Sequence, residues 1–236
     1  MDFVKKYAES GTARLHMPGH KGQPILGPEP LDLTEISGAD SLYEADGIIA
    51  QSEQNAAQLF GAARTFYSAE GSSLCIRAML QIAMQLSGRE HPVILAARNA
   101  HRAFVYACAL LGLGVEWMFP ASGGDSLCKC PVFPVQLQSR LERFRESGGE
   151  MPAAVYLTTP DYLGGQQPVA ELAAVCKKFD VPLLVDNAHG AYLKFLPDGE
   201  GKTQHPMDCG AAMCCDSAHK TLPVLTGGAY RHMSAD

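Results

Sequence analysis

From residue 64 onward, short apolar runs alternate with longer segments of helical spacing, and this alternation restricts the fold more than any other feature of the chain. Strands are expected at 64–68, 92–96, 115–119, 153–157, 181–185, 211–215 and 226–232. Helices are expected at 50–60, 74–86, 101–111, 135–146 and 169–179. The runs Leu183-Leu184-Val185 and Ala211-Ala212-Met213-Cys214-Cys215 have no polar side to turn to water. Runs of that kind suit strands covered on both faces, and strands separated by helices pair in parallel. The expected architecture is α/β: three layers around a mostly parallel, seven-stranded sheet. Irregular chain is expected over 125–134 and from the end of the fifth strand to about residue 207.

The first section, residues 1–47, has a different texture and is read as an N-terminal arm, with the sheet-bearing domain at 48–236. Residues 2–9 suit a short helix. Arg14-Leu15-His16-Met17-Pro18-Gly19-His20-Lys21-Gly22 then places two histidines and a lysine around a Pro-Gly turn. Pro24, Pro28 and Pro30 rule out a regular helix after it.

The 236 residues are 47% hydrophobic, enough to build a substantial core. A net charge of −6 without long charge runs argues against nucleic acid or an anionic membrane as the main partner. No apolar stretch reaches the roughly 18 residues of a membrane-crossing helix, and Met1-Asp2-Phe3-Val4-Lys5-Lys6 lacks the apolar core of a signal peptide. A cytoplasmic protein is expected. Of the eight cysteines, most lie in apolar runs and read as reduced core residues. Cys128-Lys129-Cys130 lacks the spacing and the partner pair of common zinc sites, so no metal is expected.

Polar residues gather where strands end. Ser72 and Ser73 follow the first strand, and Asn99 and His101 the second. Thr158, Thr159, Asp161 and Tyr162 follow the fourth, Asp186 and His189 the fifth, and Ser217, His219 and Lys220 the sixth. Open α/β sheets bind ligands at that edge. A strand-glycine-helix junction such as Glu70-Gly71-Ser72-Ser73 offers free N–H groups and hydroxyls to an anion, although either serine would serve equally as a plain helix cap. A strand-end lysine paired with a strand-end aspartate meets the minimum for pyridoxal 5'-phosphate (PLP), since the lysine forms the imine and the acid keeps the pyridine nitrogen protonated.

With these motifs in place, the chain resembles the Orn/Lys/Arg decarboxylase family of PLP enzymes, within fold type I, the aspartate aminotransferase class. The likeness rests on His16-Met17-Pro18-Gly19-His20-Lys21, Gly71-Ser72-Ser73, Asn99-Ala100-His101-Arg102, Asp186-Asn187-Ala188-His189-Gly190 and Ser217-Ala218-His219-Lys220-Thr221. The resemblance implies that Lys220 carries the imine, Asp186 pairs with the pyridine nitrogen and His101 stacks on the ring. It also implies that Ser72 and Ser73 hold the phosphate with help from Ser217 and His219, and that His189 lies close to the cofactor. The implied reaction is decarboxylation of a basic amino acid, arginine, lysine or ornithine, to the amine and CO₂, with Lys220 or His219 returning a proton to Cα. The implied assembly is a homodimer.

Two departures from the family pattern stand out. Asn187 replaces a Glu or Ser, and Gly227-Gly228-Ala229-Tyr230 differs from the usual run after the lysine. Family members also continue into a smaller C-terminal domain, which this sequence is expected to lack. Two other readings therefore accompany the decarboxylase: a truncated or partner-requiring PLP-binding protein without turnover alone, and another fold type I activity such as an aminotransferase or lyase.

Overall fold

The computed structural model describes residues 2–121 and 126–235. The chain divides into two compact units, Met1–Ala56 and Ala57–Asp236.

The first unit opens with helix α1 (Asp2–Glu9) and contains one further turn of 3₁₀ helix, Glu29–Leu31. Its folding is held by carboxylates that accept backbone N–H groups. Glu29 accepts from Leu26 and Gly27 at 2.6 and 2.8 Å, which holds its pKa down to about 2. Asp40 likewise accepts from Ser41, Asp46, Gly47 and Ile49. In the motif at 16–21, Tyr7 bonds to His16 Nε2 at 2.7 Å, and His20 bonds to Asp32 at 3.1 Å. Helix α2 (Ile48–Phe60) follows.

The second unit is built on a seven-stranded sheet: β1 (Arg64–Ser68), β2 (Val93–Ala97), β3 (Gly114–Met118), β4 (Ala154–Thr158), β5 (Leu183–Asp186), β6 (Met213–Asp216) and β7 (Ala229–Met233). Spatial order is β1-β7-β6-β5-β4-β2-β3. The block from β3 to β6 is parallel throughout. β7 is antiparallel to both of its neighbours, β1 and β6, so β1 points the same way as the parallel block. The sheet is thus mostly parallel, as the alternation of strands and helices requires.

The helices α3 (Gly71–Ser87) and α4 (Arg102–Leu111) cover one face; α5 (Pro134–Glu146) and α6 (Val169–Lys178) cover the other. Alternate side chains of the central strands β2, β4, β5 and β6 feed the two layers. Ile94, Ala96, Tyr156 and Leu184 pack under α3 and α4, while Leu95, Ala97, Leu157 and Val185 pack under α5 and α6. Each large side chain fully removed from water contributes about 1.5–3 kcal/mol of burial free energy, so the two layers dominate the stability of the unit.

Several boundaries differ from expectation in ways local chemistry explains. α3 begins at Gly71, not at residue 74, because Ser72 and Ser73 lie within its first turn. Lys220 sits in a one-turn helix, α7 (Ala218–Thr221), too short to leave a periodic signal. The long segment after β5 contains a 3₁₀ stretch, Ala191–Phe195. The irregular loop expected over 125–134 starts at a residue outside the described ones, and from Ser126 to Phe133 it carries no helix or strand.

Candidate active site

The carboxyl ends of β4, β5 and β6 meet the start of α3 and of α4. At that edge lies Asp186, 1% exposed. Its Oδ2 accepts the Tyr156 hydroxyl at 3.2 Å, and its Oδ1 accepts the Ala188 N–H at 3.2 Å. The Cys215 thiol lies 3.7 Å from Oδ1. Tyr156 and Thr158 stand on the same face of β4 as Asp186 does on β5, because Thr158 pairs with Asp186 in register. Burial raises the pKa of Asp186, against the opposing pull of the Ala188 N–H, the Tyr156 hydroxyl and the charges of His101 and Lys220. Asp186 is thus a buried carboxylate with no cation in direct contact with it among the described residues. Burial and the Asp186 charge also push the Tyr156 hydroxyl far above its usual range, so it keeps its proton and donates to the carboxylate.

Lys220 is exposed, and its Nζ donates to His189 Nε2 at 3.2 Å. That contact places the imidazole proton on Nδ1. Burial, and then the Lys220 charge, lower the pKa of His189, which favours the neutral ring. The Tyr162 ring lies 5.0 Å from the imidazole. The lysine four residues past the end of β6 and the histidine three residues past Asp186 are therefore in direct contact.

His101 caps α4: its Nδ1 accepts the Ala103 N–H at 3.2 Å. This is the plain helix-start arrangement, and it leaves Nε2 and the ring faces available. The ring is near enough to Asp186 to affect its ionisation.

Ser72 and Ser73 occupy the first turn of α3, where N–H groups have no intrahelical acceptor. Neither serine is the N-cap, a position held by Glu70 without a side-chain bond. Ser217 Oγ donates to Ser72 Oγ at 2.7 Å, tying the end of β6 to the start of α3. Gly227 completes this corner. Its carbonyl accepts the Gly71 N–H at 2.7 Å, and its own N–H donates to His219 Nδ1 at 2.7 Å. Gly227 has φ +95°, and a Cβ there would stand 2.6 Å from the Ala69 carbonyl oxygen, so only glycine fits.

All eight residues expected at the site, Ser72, Ser73, His101, Asp186, His189, Ser217, His219 and Lys220, thus lie on the strand ends and helix starts of one sheet edge. Other edge residues have local duties. Asp161 accepts from Leu163 and Gly165, and Thr159 from Gln167. Residues that the sequence did not single out include Tyr156, hidden within an apolar strand, and Cys215; strand register alone reveals their common face with Asp186. The Thr158 hydroxyl is buried without a hydrogen-bond partner on that face.

The chain matches the family "Orn/Lys/Arg decarboxylase, major domain" over residues 1–236. It is 28% identical to an arginine decarboxylase of Bacillus subtilis, covering 98% of this chain and 46% of that protein. It resembles the crystal structure of the Francisella novicida lysine decarboxylase LdcF with a TM-score of 0.78 at 18% identity, covering 99% of this chain and 35% of that one. The pyridoxal-5'-phosphate dependent protein YhfS from Escherichia coli is similar in fold, with a TM-score of 0.56 at 16% identity over 78% of this chain and 43% of that one. The chain spans a little under half the length of the curated relatives it matches. The sheet, its two helical layers and the match along the full sequence together make this chain a member of the Orn/Lys/Arg decarboxylase family, corresponding to its major domain.

Proposed function

We propose that the chain binds PLP at the edge formed by Asp186, Lys220 and the first turn of α3, and that it serves the decarboxylation of a basic amino acid, arginine, lysine or ornithine. The observation that carries this reading is Asp186: a buried carboxylate with a raised pKa, lacking a directly bonded cation, near an exposed lysine. A protonated pyridine nitrogen is the partner such a group lacks. The donor set fits the rest of the cofactor as well. The Ser72 and Ser73 hydroxyls and the first-turn N–H groups suit a phosphate, and the unpartnered Thr158 hydroxyl leaves one buried donor for a ring substituent.

When bound, PLP supplies the electron sink into which the electrons of the broken Cα–carboxylate bond pass. The chain's own residues do the remainder. Asp186 stays ionised beside a cation, and Tyr156 and the Ala188 N–H hold it in place. Lys220 would hold the cofactor through its amine, and neutral His189 accepts the Lys220 N–H. Lys220 or His219 returns a proton at Cα. His101 would help hold the ring of the cofactor, and Ser217 and His219 would help hold its phosphate. In this reading residues 1–47 form an arm, residues 48–236 bind the cofactor, and the protein works as a homodimer.

Mixing the protein with PLP tests the reading. A visible absorption band that disappears in Lys220→Ala is expected; an unchanged band in that variant sinks the lysine assignment. With arginine, lysine and ornithine supplied in turn, amine plus CO₂ supports decarboxylation, whereas a keto acid points to an aminotransferase. A second reading is PLP binding without turnover unless another polypeptide joins. A stable PLP band with no product from any of the three substrates favours it.

A further inference from the structure

On the face of the sheet opposite Asp186 lies a second buried carboxylate, Asp216, for which the reading above has no use. It is 0% exposed, as are His205, His232 and Asn187 around it. Its Oδ2 accepts from His205 Nε2 at 3.0 Å and from His232 Nε2 at 3.2 Å, and its Oδ1 accepts from Asn187 Nδ2 at 2.6 Å. The far nitrogens fix the tautomers. His205 Nδ1 accepts the Met207 N–H at 3.4 Å, and His232 Nδ1 has the Thr65 hydroxyl at 2.7 Å as its donor. Both rings then carry their proton on Nε2, aimed at one anion. The Phe60 ring stacks on His232 at 4.5 Å and lies 5.2 Å from His205, closing the cluster from water.

His205, Asp216 and His232 also have the composition of a metal site, with ligand atoms within 4.8 Å of one another. The donor pattern argues otherwise. Coordination through His205 Nε2 would move its proton to Nδ1, directly against the Met207 N–H, and every polar atom of this trio already has a partner.

The places these residues hold along the chain link the cluster to the site. Asn187 directly follows Asp186, and Asp216 directly precedes Ser217, the residue that bonds to Ser72. One carboxylate therefore ties together the two strand ends that deliver the two halves of the site, and through His232 and Thr65 it reaches β7 and β1. We infer that Asp216 is a positioning residue: as the acceptor shared by Asn187, His205 and His232, it sets the spacing of the β5 and β6 ends and hence of Asp186 relative to Lys220 and Ser217. The inference rests on the proposed cofactor site but is testable without it.

The test uses Asp216→Asn and the transposed double variant Asn187→Asp/Asp216→Asn. In the single variant two amide NH₂ groups and two imidazole N–H groups compete for too few acceptors. In the double variant the amide carried at the end of β6 can accept from both histidines and donate to the carboxylate carried just after Asp186. Every bond is then remade and only the charge moves. Hydrogen exchange is read first, on cofactor-free protein. The backbone amides at positions 187 and 188 should exchange about tenfold faster or more in Asp216→Asn, on the scale of one lost charge-assisted bond, while those of β2 and β4 stay unchanged. The double variant should return them to wild-type rates. PLP affinity, read from the visible band, should fall by a similar factor in the single variant and recover in the double. Uniformly faster exchange throughout the sheet, no change at positions 187 and 188, or no recovery in the double variant would overturn the inference. Stoichiometric metal removable by a chelator, with those amides loosened on removal, would overturn it too. If the wild type gives no PLP band, the cofactor reading fails while the exchange data still decide this one. Should the single variant not fold, the double variant decides alone.

Discussion

Asp186 and Asp216 end neighbouring strands and are equally hidden from water, yet their acidities are displaced in opposite directions. Burial raises the pKa of Asp186 because one hydroxyl and one N–H do not outweigh the lost hydration. Burial pushes Asp216 the same way, but the bonds from His205 and His232 overcome it and hold the group well below the ordinary value of 3.8. The signs for stability follow. Asp216, with its folded pKa depressed, contributes stability that is complete above 3.8 and is lost as pH falls through the lower folded value. Asp186, with its folded pKa raised, is less costly to bury once protonated, so the cofactor-free fold gains from acid at that position. Urea denaturation at stepped pH should therefore show the slope below 3.8 flattened in Asp216→Asn, with the curve above it displaced downward. An unaltered slope would show that Asp216 is not ionised in the fold. Tyr156→Phe removes a donor to the Asp186 carboxylate and should weaken PLP binding about tenfold, the scale of a hydrogen bond to a charged group. Titration of the visible band checks this, and unchanged affinity would exclude Asp186 as the ring partner. Residue types at the site were legible in the sequence because acids, hydroxyls and imidazoles stand out at the ends of apolar runs. Tyr156, His205 and His232 were not, since each acquires its partner only through pairing across the sheet or from a loop.

Among the elements, the short ones carry the site's precision. α7 is a single turn, and alone it has too few internal bonds to be stable. It is held because the His219 backbone N–H donates to the Gly228 carbonyl at 3.1 Å and its side chain accepts from Gly227. Gly227→Ala would bring a Cβ to 2.6 Å from the Ala69 carbonyl at a φ of +95°. A stability loss of about 1–3 kcal/mol is expected from the backbone strain, read as a lower denaturation midpoint, together with weaker PLP binding as the Gly71 and His219 contacts shift. A midpoint within error of wild type would show that the turn relaxes freely. The long helices and the seven strands could be read from apolar periodicity, since burial on one or both faces writes itself into the order of residues. α7 and the 3₁₀ stretch Ala191–Phe195 could not, because one turn has no period to detect.

For the whole molecule, the central strands β2, β4, β5 and β6 each serve two separate cores. Ile94 and Leu95 are adjacent in β2 and wholly buried, one under α3 and α4, the other under α5 and α6. Ile94→Ala and Leu95→Ala should each cost about 2–5 kcal/mol, and the unit should still lose both layers in one transition because the layers share their strands. Two separate calorimetric transitions within residues 57–236 would contradict this. The mostly parallel sheet followed from the alternation of apolar runs and helices, but the antiparallel insertion of β7 did not. Its apolar content resembles that of its neighbours, and strand direction is set by the path of the connecting chain, which composition does not record.

That insertion governs when the molecule can become competent. β1 has β7 as its sheet neighbour and lies at the outer edge, so Ser68 waits for Ala229 to be synthesised before it has a strand beside it. A nascent chain stalled on the ribosome just short of β7 can already have laid β5 against β4, with the aspartate in position. β1 would still lack its sheet neighbour, although α3, which follows it, already packs against α4 and β6. Emergence of the seventh strand therefore joins the earliest-made ribbon to the rest of the sheet in one late step.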